Sequence, residues 1–240
     1  MSHDDINNMR DIALVNELRS SENTLVEFGV KYIPEDSDWY ADGALFSQRR
    51  SLRNRDGSNT GIRTKGFESQ VFYDAYPYWL SMGYSYINAT YDNSSSSQDS
   101  AQVADAFDNS RPDIINGNNI GAPSYTVFSP SNNQVQGIPE QSLSVNGSYS
   151  INSQWQAGFS ALYTSSYPLD FLATVNIRDQ YTLNVNTSYT FTSSTNLRLD
   201  INNITNQKNW RPVFEGGYFG ATLVFPELPI NAKLTLTHNF

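Results

Sequence analysis

Strict alternation of apolar and polar side chains is the strongest order in this chain. Across 141–151, Leu143, Val145, Gly147, Tyr149 and Ile151 share one side of an extended backbone, while Ser142, Ser144, Asn146, Ser148 and Ser150 share the other. Successive residues of a strand point to opposite faces, so the segment predicts a strand with one apolar and one wet face. The pattern recurs across 181–191, where Tyr181, Leu183, Val185, Tyr189 and Phe191 oppose Thr182, Asn184, Asn186, Ser188 and Thr190. It recurs again across 197–204, with Leu197, Leu199 and Ile201 against Arg198, Asp200 and Asn202. Further strands are predicted at 24–33, 38–49, 62–75, 78–92, 154–165 and 230–240, nine in all, and over 38–49 the alternation does not assign the faces.

Strand length separates two kinds of alternating sheet. Strands of soluble sandwiches usually run about 5–6 residues, whereas a tilted membrane strand needs about 9–11. The predicted segments are of the second length. The links between them alternate as well: short ones lie near 34–37, 76–77, 152–153 and 192–195, and long ones cover 50–61, 93–138, 166–179 and 205–229. Outer-membrane barrels have short periplasmic turns and long extracellular loops. With the last strand ending in the periplasm, every short link falls on that side. Trp39, Tyr40, Tyr76, Tyr78, Trp79, Trp155 and Phe191 cluster at the same rim, as an interfacial aromatic girdle does.

Composition agrees with a membrane barrel. Only 38% of the residues are hydrophobic, and mean hydropathy is -0.50. No window approaches the roughly 20 apolar residues of a spanning helix, but a barrel strand turns only every second residue to lipid and stays polar on average. The absence of Cys rules out disulfides, thiolate chemistry and Cys-based metal sites, and two His residues offer little to zinc. A formal net charge of -9 argues against a nucleic-acid partner. His3 and His238 stand at the chain ends and no serine is paired with a base by spacing, so neither an enzyme nor a cofactor is expected. Met1-Ser2-His3-Asp4-Asp5 carries no basic segment and no apolar run follows it. No signal peptide is therefore expected within the chain, and a barrel reading places its upstream part elsewhere.

Two groups of side chains stand out as binding candidates. Arg49, Arg50, Arg53, Arg55, Arg63 and Lys65 place six of the 15 basic residues on the proposed extracellular loop 50–61 and its flanks. Such a rim suits anionic chelates or lipopolysaccharide phosphates through charge-assisted hydrogen bonds, and a solvated hairpin tip around Arg55-Asp56-Gly57 is the alternative. Among loop aromatics, Tyr125, Phe128, Trp210 and Tyr218 are placed either to line a ligand vestibule or to pack loop on loop. Loop 93–138 is Ser- and Asn-rich, yet Ile114, Ile115, Ile120, Tyr125, Val127 and Phe128 give it material with which to fold back over the mouth.

The chain closes on Lys233-Leu234-Thr235-Leu236-Thr237-His238-Asn239-Phe240, where Leu234, Leu236, His238 and Phe240 alternate with polar residues. This resembles the C-terminal signature of outer-membrane barrels, which implies recognition by the barrel-assembly machinery through addition to a sheet edge. His238 departs from the apolar residue usual at that position. Three further stretches resemble the C-terminal half of TonB-dependent receptors. They are 21–32, with Glu27, Gly29 and Lys31 at alternate positions and the return 41–49; Gly61-Ile62-Arg63-Thr64-Lys65-Gly66-Phe67-Glu68 with its partner 79–86; and Leu199-Asp200-Ile201-Asn202-Asn203-Ile204-Thr205-Asn206.

The resemblance implies an all-β fold: an antiparallel transmembrane β-barrel, of which about nine C-terminal strands are present where the family has about twenty-two, with the plug domain absent. Residues 1–22 are then an extracellular loop remnant and 23–240 the C-terminal barrel portion. The implied function is TonB-energised uptake of a ferric siderophore, with outer-membrane lipid and lipopolysaccharide around the barrel and the TonB complex reached only through the missing plug. A porin, an adhesin translocator and a soluble β-sandwich are the alternatives.

Overall fold

The computed structural model describes residues 21–53, 59–92, 100–103, 124–127, 133–169, 176–213 and 223–240. The secondary structure among them is entirely β. In chain order the strands are β1 (Ser21–Tyr32), β2 (Trp39–Arg53), β3 (Asn59–Ala75), β4 (Tyr78–Tyr91), β5 (Ser100–Val103), β6 (Ser124–Val127), β7 (Gln141–Ser150) and β8 (Trp155–Thr164). They continue with β9 (Tyr167–Pro168), β10 (Asn176–Ile177), β11 (Gln180–Thr192), β12 (Thr195–Asn202), β13 (Trp210–Val213), β14 (Leu223–Pro226) and β15 (Asn231–His238).

Nine of these form one antiparallel sheet in the order β1-β2-β3-β4-β7-β8-β11-β12-β15, and they correspond one to one with the nine expected from the alternation. The pairs β5–β6, β9–β10 and β13–β14 are small separate hairpins within the longer links. The sheet is an up-and-down meander that does not close among the described residues, where β1 pairs only with β2 and β15 only with β12.

Register carries the apolar face without a break. Trp39 pairs with Tyr73, Tyr73 with Leu80, Leu80 with Gly147, Gly147 with Phe159, Phe159 with Val185, Val185 with Ile201, and Ile201 with Ala232. One residue along, Asp74, Trp79, Ser148, Gly158, Asn186, Asp200 and Lys233 form a row on the opposite face, polar except at Trp79 and Gly158. The register also assigns β2, whose faces the sequence left open. Trp39, Ala41, Gly43 and Leu45 lie on the apolar side, and Tyr40, Asp42, Ala44 and Phe46 on the other. Tyr40 is apolar material on a polar face because it stacks on Phe72 at 4.6 Å and receives the Lys31 ammonium 5.4 Å from its ring centroid.

The apolar face is not covered. Phe28 is 69% exposed, and Leu234 and Leu236 are both 66% exposed. Water-soluble monomers rarely present a continuous apolar surface beyond a few hundred Å². The buried hydrophobic residues among those described, Ala89, Tyr91, Val135, Tyr167 and Ile177, all sit at the long-link end, Ala89 and Tyr91 in the last residues of β4 and the others in the links. Ile62, Ile87 and Ile138 pack against the first three. Segment 133–140 runs along β4 beyond a break in register, with the Val135 N–H donating to the Ala89 carbonyl at 2.9 Å.

At the opposite end the links are short: 33–38, 76–77, 151–154 and 193–194. Aromatic contacts mark this end, with Tyr32 and Trp39 at 5.6 Å, Tyr78 and Tyr149 at 5.0 Å, and Tyr189 and Phe191 at 4.9 Å. Of the expected girdle, Trp39, Tyr78 and Trp155 share the apolar face, whereas Tyr40 and Trp79 point to the other side. Trp155 Nε1 donates to Thr187 Oγ1 at 2.7 Å. The terminal motif follows the expected alternation: Leu234 lies opposite Leu199, Leu236 opposite Leu197, and His238 opposite Thr195, whose hydroxyl lies 2.9 Å from His238 Nδ1.

Boundaries differ most at the expected long link 50–61. There β2 continues to Arg53 and β3 begins at Asn59, because ladder bonds are made by backbone groups and pass through Arg and Asn positions unchanged. β1 starts at Ser21, ahead of the expected 24 and two residues inside the expected loop remnant.

Gly66 tests how tightly β2, β3 and β4 are layered. A Cβ there would meet the Tyr86 carbonyl oxygen and the Phe46 ring, whereas one on Gly29 would come no closer than 3.6 Å to any neighbour. Gly66→Ala is expected to cost about 1–3 kcal/mol by overpacking and Gly29→Ala much less, read by urea unfolding in detergent micelles. Equal losses would contradict this register.

Candidate functional site

Two arrangements of polar side chains stand at the long-link end. The first is built on β2, β3 and the residue after β4. Arg49 and Arg63 are direct cross-strand partners, an arrangement that is repulsive for like charges. Asp92 resolves it: Arg49 Nε lies 2.8 Å from Oδ2 and Arg63 Nη2 donates to Oδ1 at 3.2 Å. The Asp92 side chain is 4% exposed, against 56% and 52% for the two arginines. Its backbone N–H donates to the Gly61 carbonyl at 2.8 Å, fixing it where β4 ends.

The expected basic loop is therefore not a loop over most of its length. Arg49, Arg50 and Arg53 lie within β2, and Arg63 and Lys65 within β3. Alternation puts Arg49, Arg63 and Lys65 on the same side as Leu45 and Phe67, and Arg50 on the opposite side. Arg55 lies outside the described residues, as do Phe128, Tyr218 and most of loop 93–138. Tyr125 is in β6, paired with Gln102.

The second arrangement is a cavity of about 610 Å³ between the ends of β8, β11 and β12 and the hairpin β13–β14. Three asparagines fold the link back to form it. Asn203 follows β12 with φ 50°, in the left-handed region that Asn tolerates better than most residues. Its N–H donates to Asn184 Oδ1 at 2.8 Å, its Nδ2 donates to the Gln207 and Leu228 carbonyls at 2.9 and 3.1 Å, and its Oδ1 accepts the Gln207 N–H at 2.9 Å. Asn206, also at φ 50°, accepts the Ile230 N–H at 3.1 Å. Buried Asn209 donates from Nδ2 to the Tyr181 carbonyl and to Thr182 Oγ1, both at 2.8 Å.

These bonds bring Trp210, the one expected aromatic whose side chain the structure describes, to the cavity wall, its backbone N–H on Gln180 Oε1. Tyr167 also lines the cavity; burial pushes its hydroxyl pKa up, partly offset by a hydrogen bond with Gln180, so the phenol is neutral at physiological pH. Arg211 and Glu227 face each other at 3.5 Å. The arginines of β2 and Trp210 are not brought together. From β2 to β11 the sheet spans five strand spacings, roughly 24 Å along its surface.

Asp92, Asn209 and Gln180 were not marked by sequence reasoning, because their partners are 27 or more residues away along the chain. Asn203 and Asn206 carried a signal, since closely spaced asparagines after an alternating strand favour left-handed turns. Among the described residues, no group of three or more His, Cys, Asp or Glu side chains could hold a metal ion.

Solved structures share this sheet. The ferric-catecholate import receptor Fiu from E. coli K12 superposes with a TM-score of 0.64 at 17% identity, covering 91% of this chain and 28% of the receptor. The siderophore receptor PiuA from Acinetobacter baumannii gives 0.65 at 16% identity, over 90% and 28%. The outer-membrane ferripyoverdine receptor of Pseudomonas aeruginosa gives 0.62 at 14%, over 94% and 28%. The fold is that of part of an outer-membrane receptor β-barrel. The likeness in fold is to siderophore receptors, and the chain spans about three tenths of these receptors' length. No protein-family model and no curated protein sequence matches the chain.

Two substitutions test the geometry. Asn203→Ala removes the three side-chain hydrogen bonds and leaves a side chain at positive φ, so it is expected to cost at least about 2 kcal/mol locally, seen as faster amide exchange across 203–213. Replacing Arg49 and Arg63 together by Met leaves the Asp92 carboxylate without these cations, with an expected loss on the order of 1–3 kcal/mol in urea unfolding. Either single replacement should cost less than half of that.

Proposed function

We propose that this chain is the C-terminal portion of a transmembrane β-barrel of about twenty-two strands in the bacterial outer membrane, part of a receptor for TonB-energised uptake of a ferric siderophore. The observation that carries the reading is the uncovered apolar face running across nine antiparallel strands, on a sheet with the fold of siderophore receptors. In this reading that face meets lipid and the opposite face lines the barrel interior. The short links lie in the periplasm with Phe240, and the long links face outward.

The parts then divide the work. The chain supplies wall, mouth and assembly signal, while the plug that would couple ligand binding to the TonB complex belongs to the remainder of the receptor. Leu234, Leu236, His238 and Phe240 form the strand end offered to the barrel-assembly machinery. Arg49, Arg63 and Lys65, on the lipid side at the outer rim, suit lipopolysaccharide phosphates, whereas Arg50, on the interior side, suits an anionic chelate. Arg53, Arg55 and Tyr125 belong to the outer rim, and Trp210 lines its binding surface. No step in this function is chemical.

Uptake of labelled ferric siderophore by cells carrying the complete receptor, and its loss when residues 21–240 are deleted, tests the transport role; unchanged uptake would overturn it. The direction of the faces is tested separately. Val145→Arg should cost about 2–4 kcal/mol, the cost of a cation on the lipid face near mid-membrane, while Asn146→Arg, one residue away, should be tolerated. Heat-modifiable gel migration and unfolding midpoints read both variants.

A further inference from the structure

A cavity of about 430 Å³ opens on the apolar face near the short links. Side-chain size creates it. Gly147 and Ala157 stand on that face with little or nothing to project, among neighbouring positions that carry Tyr73, Tyr78, Leu80, Tyr149 and Phe159. The stacked rings of Tyr78 and Tyr149 close it on the rim side, and the Phe159 ring lies over Gly147 one step farther in. These walls are accessible, with Tyr78 54% and Phe159 39% exposed. No Asp, Glu, Lys or Arg lines the cavity. It therefore suits a hydrocarbon chain and offers an ion no partner.

The rim beside it is acidic. Link 33–38 carries Glu35, Asp36 and Asp38, and none of the short links 33–38, 76–77, 151–154 and 193–194 contains Lys or Arg. The acidic link is held against β3: the Asp74 N–H donates to the Asp38 carbonyl at 2.7 Å, one residue from Tyr73 in the cavity wall. Lys31, the basic residue nearest the link in sequence, is turned to the opposite face over the Tyr40 ring. An anionic headgroup meets repulsion at such a rim, whereas an ammonium meets carboxylates and tyrosine ring faces. The occupant these features select is a hydrocarbon chain within the cavity, with an ammonium where it reaches the link.

We propose that this cavity is a selective site for a zwitterionic phospholipid with an ammonium headgroup, one acyl chain lying against Gly147 and Ala157 and the headgroup at the 33–38 rim. The inference rests on the reading of the apolar face as lipid-facing and goes beyond it. General contact with lipid requires no preference between headgroups, and this site requires one.

Photo-crosslinking of the complete receptor, reconstituted in equimolar phosphatidylethanolamine and phosphatidylglycerol, tests it. One lipid or the other carries a diazirine on an acyl chain, and adducts are mapped residue by residue by mass spectrometry. The ratio of ethanolamine-lipid to glycerol-lipid adducts, in which depth cancels, should be at least about threefold higher at Tyr73, Tyr149 and Phe159 than at Val185, Ile201 and Leu234 on the same face. Ala157→Phe, which fills the cavity, should bring the ratio down to that of the rest of the face. Neutralising the link with Glu35→Gln, Asp36→Asn and Asp38→Asn should do the same. The comparison within the unaltered receptor requires no variant to fold. An even ratio across the face would overturn the proposal while leaving the lipid-facing reading intact. A raised ratio that survives Ala157→Phe would overturn it as well, and adducts at neither set of residues would overturn both readings.

Discussion

Strand register is the constraint on which the rest of this structure depends. Side chains alternate with a period of two, so a one-residue slip in any ladder would carry one strand's apolar set to the polar face. The ladders hold one phase from Trp39 through Tyr73, Leu80, Gly147, Phe159 and Val185 to Ile201 and Ala232, and β11–β12 shifts register only at its end, between Thr190 and Thr192. Glycine takes part in setting that phase. Phe159 covers Gly147 and Phe46 covers Gly66, positions where any larger residue would push the ring or the neighbouring strand away.

The same ladder explains why the sheet is not self-sufficient. Inside lipid each backbone N–H and C=O needs a partner, which spanning sheets obtain only by closing on themselves. Here β1 and β15 each have one edge without a partner strand among the described residues. Receptors with the same fold are more than three times as long, which is consistent with further strands completing the edges in the proposed barrel. An apolar face without a core and a sheet without closure are two expressions of one fact. In the proposed barrel, lipid on one side and further strands at the edges would supply what a soluble sandwich supplies from its own second sheet.

Most of the sheet was legible because period two is a local signal, and all nine strands were placed from it. What stayed hidden was of two kinds. Tyr40, Ala44 and Phe46 blurred the faces of β2 because the partners of the two aromatics, Phe72 and the bare backbone of Gly66, lie on another strand. Arg50, Arg53 and Asn59 suggested a loop because their composition is polar, yet the backbone ladder continued through them. The candidate sites were less legible still. Trp210 was marked, but Asp92 and Asn209 become functional candidates only through contacts that the fold makes between distant segments, and β13–β14 is too short for periodicity to register.

The long-link and short-link ends differ in kind. Short links, aromatic contacts and the terminal Leu234–Leu236 alternation make one end repetitive, while asparagine-built turns and the buried Asp92 ion pairs make the other specific. That contrast has meaning only if one face of the sheet lies in lipid. Spin labels placed singly at 141–150 in bilayer-reconstituted protein measure this directly, through collision rates with oxygen and with a water-soluble nickel chelate. Oxygen access should peak at 143, 145, 147 and 149 and nickel access at 142, 144, 146 and 148; a profile without this two-residue alternation, or with nickel access at every position, would contradict a lipid-facing sheet.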